Sequence, residues 1–469
     1  MTLAPKYGRL FLLLVLAYGL VISVLRIDYN SVFIDEAFQI TLGKEILAGV
    51  PCPGCPHHTG SVMIWPQLAA VADSHGGIRA VRLLNVFIGL ALTAIVYETA
   101  AILFGDVLAL VASILFISMG QTLYLMKLGT YDMIAAFFLG ASFLMFVVAA
   151  KREIGWRRTA ALLAGSAALF LAAITKYLLP VFVPALALYV LFTQGWRRTV
   201  LFCVLPIAVL GALYVGFDQY APRAQVLGQV ETYANIKVPL ETIFDWAFRW
   251  IALALVLAVF GVFHERHGKT ALVLIALSMP IVALHLVTRA EQSVNKNMIF
   301  ALVFLAPAAA LGVDQLAKIF SFGMRQRAVR GFFMGAVLVI VWAYGFFNLR
   351  WLERQYPDVT PVIEFFEAKG FDGMTVAFNG WDGVIYEYVF ARRFPHARFL
   401  NFIEIKRVDA PRPAFAEPVD YVVCEDLFYG SMSPCSEFSP YFEDDFELLH
   451  NFTIVHSWGE TDARIYGRR

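Results

Sequence analysis

The chain has 469 residues, of which 59% are hydrophobic and only 16% charged. Soluble domains carry about 25% charged residues, so most of this chain is built to be solvated by lipid. From Trp351 onward there are 20 acidic and 11 basic residues, net −9, which leaves +10 on the first 350. That split implies a basic membrane body, residues 1–350, and an acidic soluble domain, residues 351–469. No basic stripe interleaved with aromatics argues for nucleic acid, and five cysteines are too few for a disulfide scaffold.

In chain order, residues 9–27 (RLFLLLVLAYGLVISVLRI) read as the first span, preceded by Lys6 and Arg9. No small-residue cleavage site follows, so the expectation is an uncleaved anchor. Apolar runs of spanning length recur near 82–103, 108–125, 133–150, 159–175, 177–193, 199–217, 247–263, 270–287, 298–313 and 331–348. This predicts a polytopic α-helical membrane protein of about eleven spans. The segments 151–158 (KREIGWRR), 195–198 (GWRR), 264–269 (HERHGK) and 314–330 are rich in Lys and Arg. The positive-inside rule therefore puts them and the N-terminus on the cytoplasmic side of a cell (inner) membrane. The extracytoplasmic face then receives 28–80, 126–132, Lys176, 218–245, 288–297 and the C-terminal domain.

The first of these segments, 28–80, is expected to carry juxtamembrane helices. Asp35 and Glu36 open an apparent amphipathic helix within it. One reading is a helix start, with Asp35 at the N-cap and Glu36 in the first turn. The other is a general base whose pKa rises near apolar surroundings. The two readings are compatible. Cys52 and Cys55 in PCPGCP are expected to close a small disulfide outside the cytoplasm, the alternative being a zinc site with His57 and His58.

Residues 127–133 (KLGTYDM) precede the fourth span. Lys127 reads as an interfacial anchor, whereas Asp132 is costly at a membrane helix start unless it caps the helix or faces protein or water. Lys176, in AAITKYLLP, either snorkels to headgroups or holds a lipid phosphate. In TRAEQSVNKN, residues 288–297, Arg289, Glu291, Lys296 and Asn297 form either a solvated loop or a second phosphate clamp. The loop 218–245 adds Arg223, Glu231, Tyr233 and Lys237 without a pattern, and Cys203 lies within a span as packing.

From about 355 the pattern changes to that of a small α/β domain. VTPVIEFFEAKG predicts a helix ending at Gly370, MTVAFNG a strand, and WDGVIYEYVFARR a second helix. ARFLNF, DYVVCED, FTIVHSW and ARIYGRR are further strand candidates, and Cys424 and Cys435 are candidates for a second bridge. No Gly-rich phosphate loop or nucleophile elbow occurs there, so a capping or acceptor-handling role is expected of this domain.

The order of these pieces resembles a known family. The Asp35-Glu36 helix, a His-containing turn, RAVRLLNVFIGLALTAIVYETAAILFG, the YDM motif and TKYLLP follow one another as in membrane glycosyltransferases of the type C fold. The nearest branch is the superfamily of protein O-mannosyltransferases and the lipid A aminoarabinose transferase. The resemblance covers roughly residues 10–310 and is strongest over 28–185. It implies sugar transfer, with inversion, from a polyprenyl-phosphate donor to a lipid, glycan or protein acceptor. By the same resemblance Asp35 is the base, Glu36 its partner and Asp132 a second acidic position. Lys176 would contact the donor phosphate, joined by Lys296, Arg289 and His58, while His57 and Tyr131 fall to the acceptor or to secondary roles. Where many members have two prolines after a basic residue or His, this chain reads His58-Thr59-Gly60-Ser61-Val62, a departure in the donor region. No cofactor is implied with certainty, and a divalent metal at Asp35, Glu36 and Asp132 is left open. A lipid flippase is the competing class, but the spans are poor in ionisable groups and no internal repeat is evident.

Overall fold

In the computed structural model the described residues are 5–49, 64–152, 155–217, 237–290, 293–320, 326–355, 358–378, 383–401, 418–425, 435, 444–456 and 459–469. The chain divides into two compact units, one of residues 1–27 and 42–349, the other of 28–41 and 350–469. The segment bearing Asp35 and Glu36 is thus grouped with the C-terminal residues, not with the membrane body.

The first unit is helical and belongs to a multi-pass membrane protein. Among the described residues nine helices are long and apolar enough to cross a membrane. They include α1 (Pro5–Leu25), α3 (Trp65–Phe104), α6 (Asp132–Lys151) and α7 (Trp156–Thr175). Two further expected spans are built differently. Residues 108–125 become α4 (Asp106–Ser118) and α5 (Gly120–Lys127), bent by 63° at Met119. Residues 177–193 become a short turn and α8 (Phe182–Gln194), 13 residues long. Next come α9 (Trp196–Thr199), a π turn and α10 (Leu205–Phe217), then α11 (Leu240–Val262), α12 (Gly268–Thr288), α13 (Val294–Phe320) and α14 (Gln326–Glu353). α3 is two helices in succession, because Gly77 breaks it at φ 66, a value that residues with a Cβ rarely adopt. Its first part falls in the segment 28–80, and its second part covers the expected span.

α13 is the central helix, with 89% of its most apolar window buried. It is apolar all round, as a helix surrounded by other helices must be. Small residues let its neighbours approach: a Cβ on Gly312 would lie 1.7 Å from Leu257 O, and one on Gly261 would lie 2.6 Å from Ala308 O. In lipid, where tails are as apolar as leucine, such close packing replaces the hydrophobic drive that joins helices in water.

α2 (Ile34–Ala48) follows Phe33, and its residues up to Thr41 are grouped with the second unit. The preceding loop is tied to the C-terminal residues, since Ser31 N–H donates to Asp358 and Val359 N–H to Ser31 Oγ. There follow α15 (Thr360–Lys369), β1 (Thr375–Phe378), α16 (Gly383–Arg393), β2 (Arg398–Asn401), β3 (Tyr421–Glu425), β4 (Phe446–His456) and β5 (Gly459–Arg468). Gly370 stops α15 in the left-handed region. The sheet order is β2-β1-β3-β5-β4, parallel among the first three strands and antiparallel thereafter. Its core includes Ala377, Val422, Phe446 and Tyr466, together with the bonded pair Cys424–Cys435.

Candidate functional site

The turn from Leu128 to Tyr131 joins α5 to α6 and is pinned from three directions. Trp65 Nε1 donates to Gly129 O at 3.1 Å, Asn85 Nδ2 donates to Leu125 O at 2.9 Å and also to Leu128 O, and Thr130 N–H donates to Leu128 O at 2.7 Å. Trp65 and Asn85 are wholly buried. Buried donors that satisfy loop carbonyls fix a turn that would otherwise fray. Asp132 begins α6 directly after it and is 1% exposed.

Two groups bond to the Asp132 carboxylate. Thr130 Oγ1 donates to Oδ2 at 2.7 Å, and Lys176 Nζ forms an ion pair with Oδ1. The charge of Lys296 also acts on it. Lys176 follows the last residue of α7 in extended backbone, which sends its side chain out of the helix end. Its ammonium lies 5.3 Å from the Tyr131 ring centroid and 5.3 Å from that of Phe300, which adds cation–π attraction in a site shielded from water. Phe300 and Lys296 are one turn apart on α13, so the same helix face supplies the aromatic and the second cation. Three helix ends thereby converge: the start of α6, the end of α7 and the start of α13.

A second buried network lies beside Lys296. His285, near the end of α12, presents Nδ1 to Ala290 O at 2.9 Å and Nε2 to Asn297 Nδ2 at 2.9 Å. A carbonyl can only accept, so Nδ1 carries the proton and Nε2 is the acceptor. The membrane unit buries Arg82 and Lys127 as well, Arg82 donating to Ile27 O at 2.8 Å. Arg82, Lys127, Lys176 and Lys296 are thus buried in the same unit as Asp73, Asp132 and Asp314, and Asp73 is paired with Lys44.

The acidic pair of α2 is held otherwise. Phe33, not Asp35, occupies the position before the helix, and Glu36 Oε2 accepts Phe33 N–H at 2.9 Å. That is the carboxylate half of a capping box, so Glu36 has a structural use whatever else it does. Asp35 lies in the same first turn and is half-buried.

Of the other expected site residues, Tyr131 lines the Lys176 pocket as described. Arg289 is exposed and takes part through its backbone, its N–H donating to His285 O and its carbonyl accepting Val238 N–H. Cys52, Cys55, His57 and His58 lie outside the described residues, as do Arg223, Glu231 and Tyr233. Among the described residues no group of three or more His, Cys, Asp or Glu is arranged to hold a metal. The surroundings of Asp132, two lysines and a hydroxyl, fit an anion rather than a divalent cation. Sequence reading passed over Thr130, Trp65, Asn85, His285 and Phe300. Asn85 and His285 carried a signal, since a polar side chain inside an apolar span needs a partner.

Over residues 64–217 the sequence matches the family described as dolichyl-phosphate-mannose-protein mannosyltransferase. No curated protein matches by sequence. Among solved structures the fold is similar to that of ArnT from Cupriavidus metallidurans. The apo state aligns with a TM-score of 0.61 at 13% identity, covering 98% of each chain. The state bound to undecaprenyl phosphate aligns at 0.60 and 12%, covering 96% of this chain and 97% of that one. The Archaeoglobus fulgidus oligosaccharyltransferase aligns at 0.55 and 14%, covering 88% of this chain and 69% of that one.

Proposed function

We propose that this chain is a membrane glycosyltransferase of the type C fold, in the protein mannosyltransferase and ArnT superfamily, and that it works on the extracytoplasmic face. It transfers a sugar from a polyprenyl-phosphate-linked donor to an acceptor hydroxyl, inverting the anomeric centre. The observation that carries the reading is the convergence of Lys176 and Lys296 on buried Asp132 at three helix ends. ArnT has been caught with undecaprenyl phosphate, and the archaeal oligosaccharyltransferase AglB with a dolichol-phosphate and an inhibitory peptide. A polyprenyl phosphate is accordingly the carrier assigned here.

The chemistry asks little more than these residues offer. The Asp35 carboxylate takes the acceptor hydroxyl proton while the acceptor oxygen bonds to the anomeric carbon. The bond from that carbon to the phosphate oxygen breaks, and the polyprenyl phosphate leaves with the electron pair. Lys176 and Lys296 offset the charge that grows on the leaving phosphate, and Asp132 keeps Lys176 aimed. Glu36 supports the base by fixing the start of its helix. Orientation follows from the Lys- and Arg-rich segments at 151–158, 195–198, 264–269 and 314–330, assigned to the cytoplasm.

Mass spectrometry of lipids and surface glycans from cells with and without the chain tests this directly. A new glycoside that depends on the chain is expected, and its mass names the acceptor and the sugar. Movement of labelled lipid across proteoliposomes with no new glycosidic bond would instead identify a flippase.

A further inference from the structure

We propose that His285 is a positioning residue for the transfer reaction. Through Asn297 it latches the first turn of α13 so that Lys296 is delivered to the donor phosphate. The inference rests on the reading of Lys296 as a phosphate ligand.

Both ring nitrogens of His285 are committed. Nδ1–H donates to Ala290 O at 2.9 Å, and Nε2 accepts Asn297 Nδ2–H at 2.9 Å. The imidazole therefore bridges the end of α12, the turn after it and the start of α13. That turn is conformationally demanding. Arg289 has φ 55 and Ser293 has φ 60, a region that residues other than glycine occupy rarely. Two more bonds brace it, from Arg289 N–H to His285 O at 2.8 Å and from Val238 N–H to Arg289 O at 3.1 Å. Asn297 immediately follows Lys296, and its own N–H donates to Ser293 O at 2.8 Å.

Stability alone does not account for this arrangement. Asn297 is fully buried, yet its Oδ1 has no hydrogen-bond partner among the described residues. An orphaned buried acceptor is destabilising, whereas an apolar pair of similar shape in place of His285 and Asn297 would leave nothing unsatisfied. What the polar pair adds is direction. A ring with one donor and one acceptor accepts a single orientation of the asparagine amide, and so a single setting of the helix turn that bears Lys296.

The test is a titration of the purified protein in lipid nanodiscs with undecaprenyl phosphate, read as a dissociation constant. The variants are His285→Phe, Lys296→Ala and the two combined. His285→Phe is expected to weaken binding about tenfold, and the same change on the Lys296→Ala background to add almost nothing, since the histidine acts through the lysine. His285→Gln, which keeps an acceptor for Asn297, should recover most of the affinity. His285→Asn, which keeps only the donor to Ala290, should not. That last pair carries the test if His285→Phe fails to fold. Full additivity of His285→Phe and Lys296→Ala would overturn the latch while leaving the phosphate site standing. Wild-type affinity in Lys296→Ala would overturn both.

Discussion

Asp132 and the Asp35–Glu36 pair are acidic residues at helix starts, and they are held in opposite ways. Asp132 belongs to the membrane unit, where it is bonded to the Thr130 hydroxyl and the Lys176 ammonium and feels the charge of Lys296. Asp35 and Glu36 belong with the C-terminal residues, where Glu36 is spent on its own helix terminus and Asp35 is half-buried. A carboxylate locked in an ion pair is a poor base, because taking a proton would break the pair. It is a good orienting group. On the proposed function the two would divide the labour, Asp132 aligning cations for a phosphate and Asp35 taking the proton.

The sharpest way to break that division is Asp35→Asn, which should reduce sugar transfer by about a thousandfold with expression and folding intact. Glycoside formation by purified protein measures it, and wild-type turnover would remove Asp35 from the role of base. Lys176→Met comes next. It strands a buried carboxylate and should cost about 3–5 kcal/mol, seen as a large fall in apparent melting temperature. Adding Asp132→Leu to Lys176→Met should restore much of that stability without restoring activity, which would separate structural pairing from phosphate binding. Glu36→Ala should cost about 1 kcal/mol through the lost cap and leave the rate of the chemical step nearly unchanged. If Glu36→Ala were as inactive as Asp35→Asn, the two carboxylates would have to be read as one catalytic pair.

The smallest effect is expected at a third cluster, where Asp314 meets Lys318 at 3.0 Å, His264 at 3.3 Å and Arg330. Burial above all pushes the His264 pKa down, helped by the Lys318 charge. A histidine kept neutral in the fold contributes stability above its unfolded value near 6.5, and loses it as pH falls through the lower folded value. The apparent melting temperature should therefore decline modestly between about pH 6.5 and 5, and less so in His264→Asn, whose side-chain oxygen can still accept the N–H groups of Arg266 and His267.

Much of the fold was legible because its signals are local. Spanning length and hydropathy mark the helices, and period-two runs and Gly370 mark the small domain. Two expected spans were built otherwise for a tertiary reason. Met119 bends one where Gly120 meets Gly345 and Asn348, and Pro180 starts the other with a short turn. For the site, residue type exposed Asp132 and Lys176, since charge inside an apolar run is costly. It could not show that they pair, because 44 residues separate them. Nor could it show that Trp65 and Asn85 hold the turn, since their bonds reach over 64 and 43 residues to backbone carbonyls that carry no sequence signature.

The most direct test of this division is the dissociation constant for undecaprenyl phosphate measured side by side in the wild-type protein, Lys176→Met and Asp35→Asn. The account predicts binding weakened at least tenfold in Lys176→Met and unchanged in Asp35→Asn, with transfer lost in both. Unchanged binding in Lys176→Met, or an equal loss in Asp35→Asn, would contradict it.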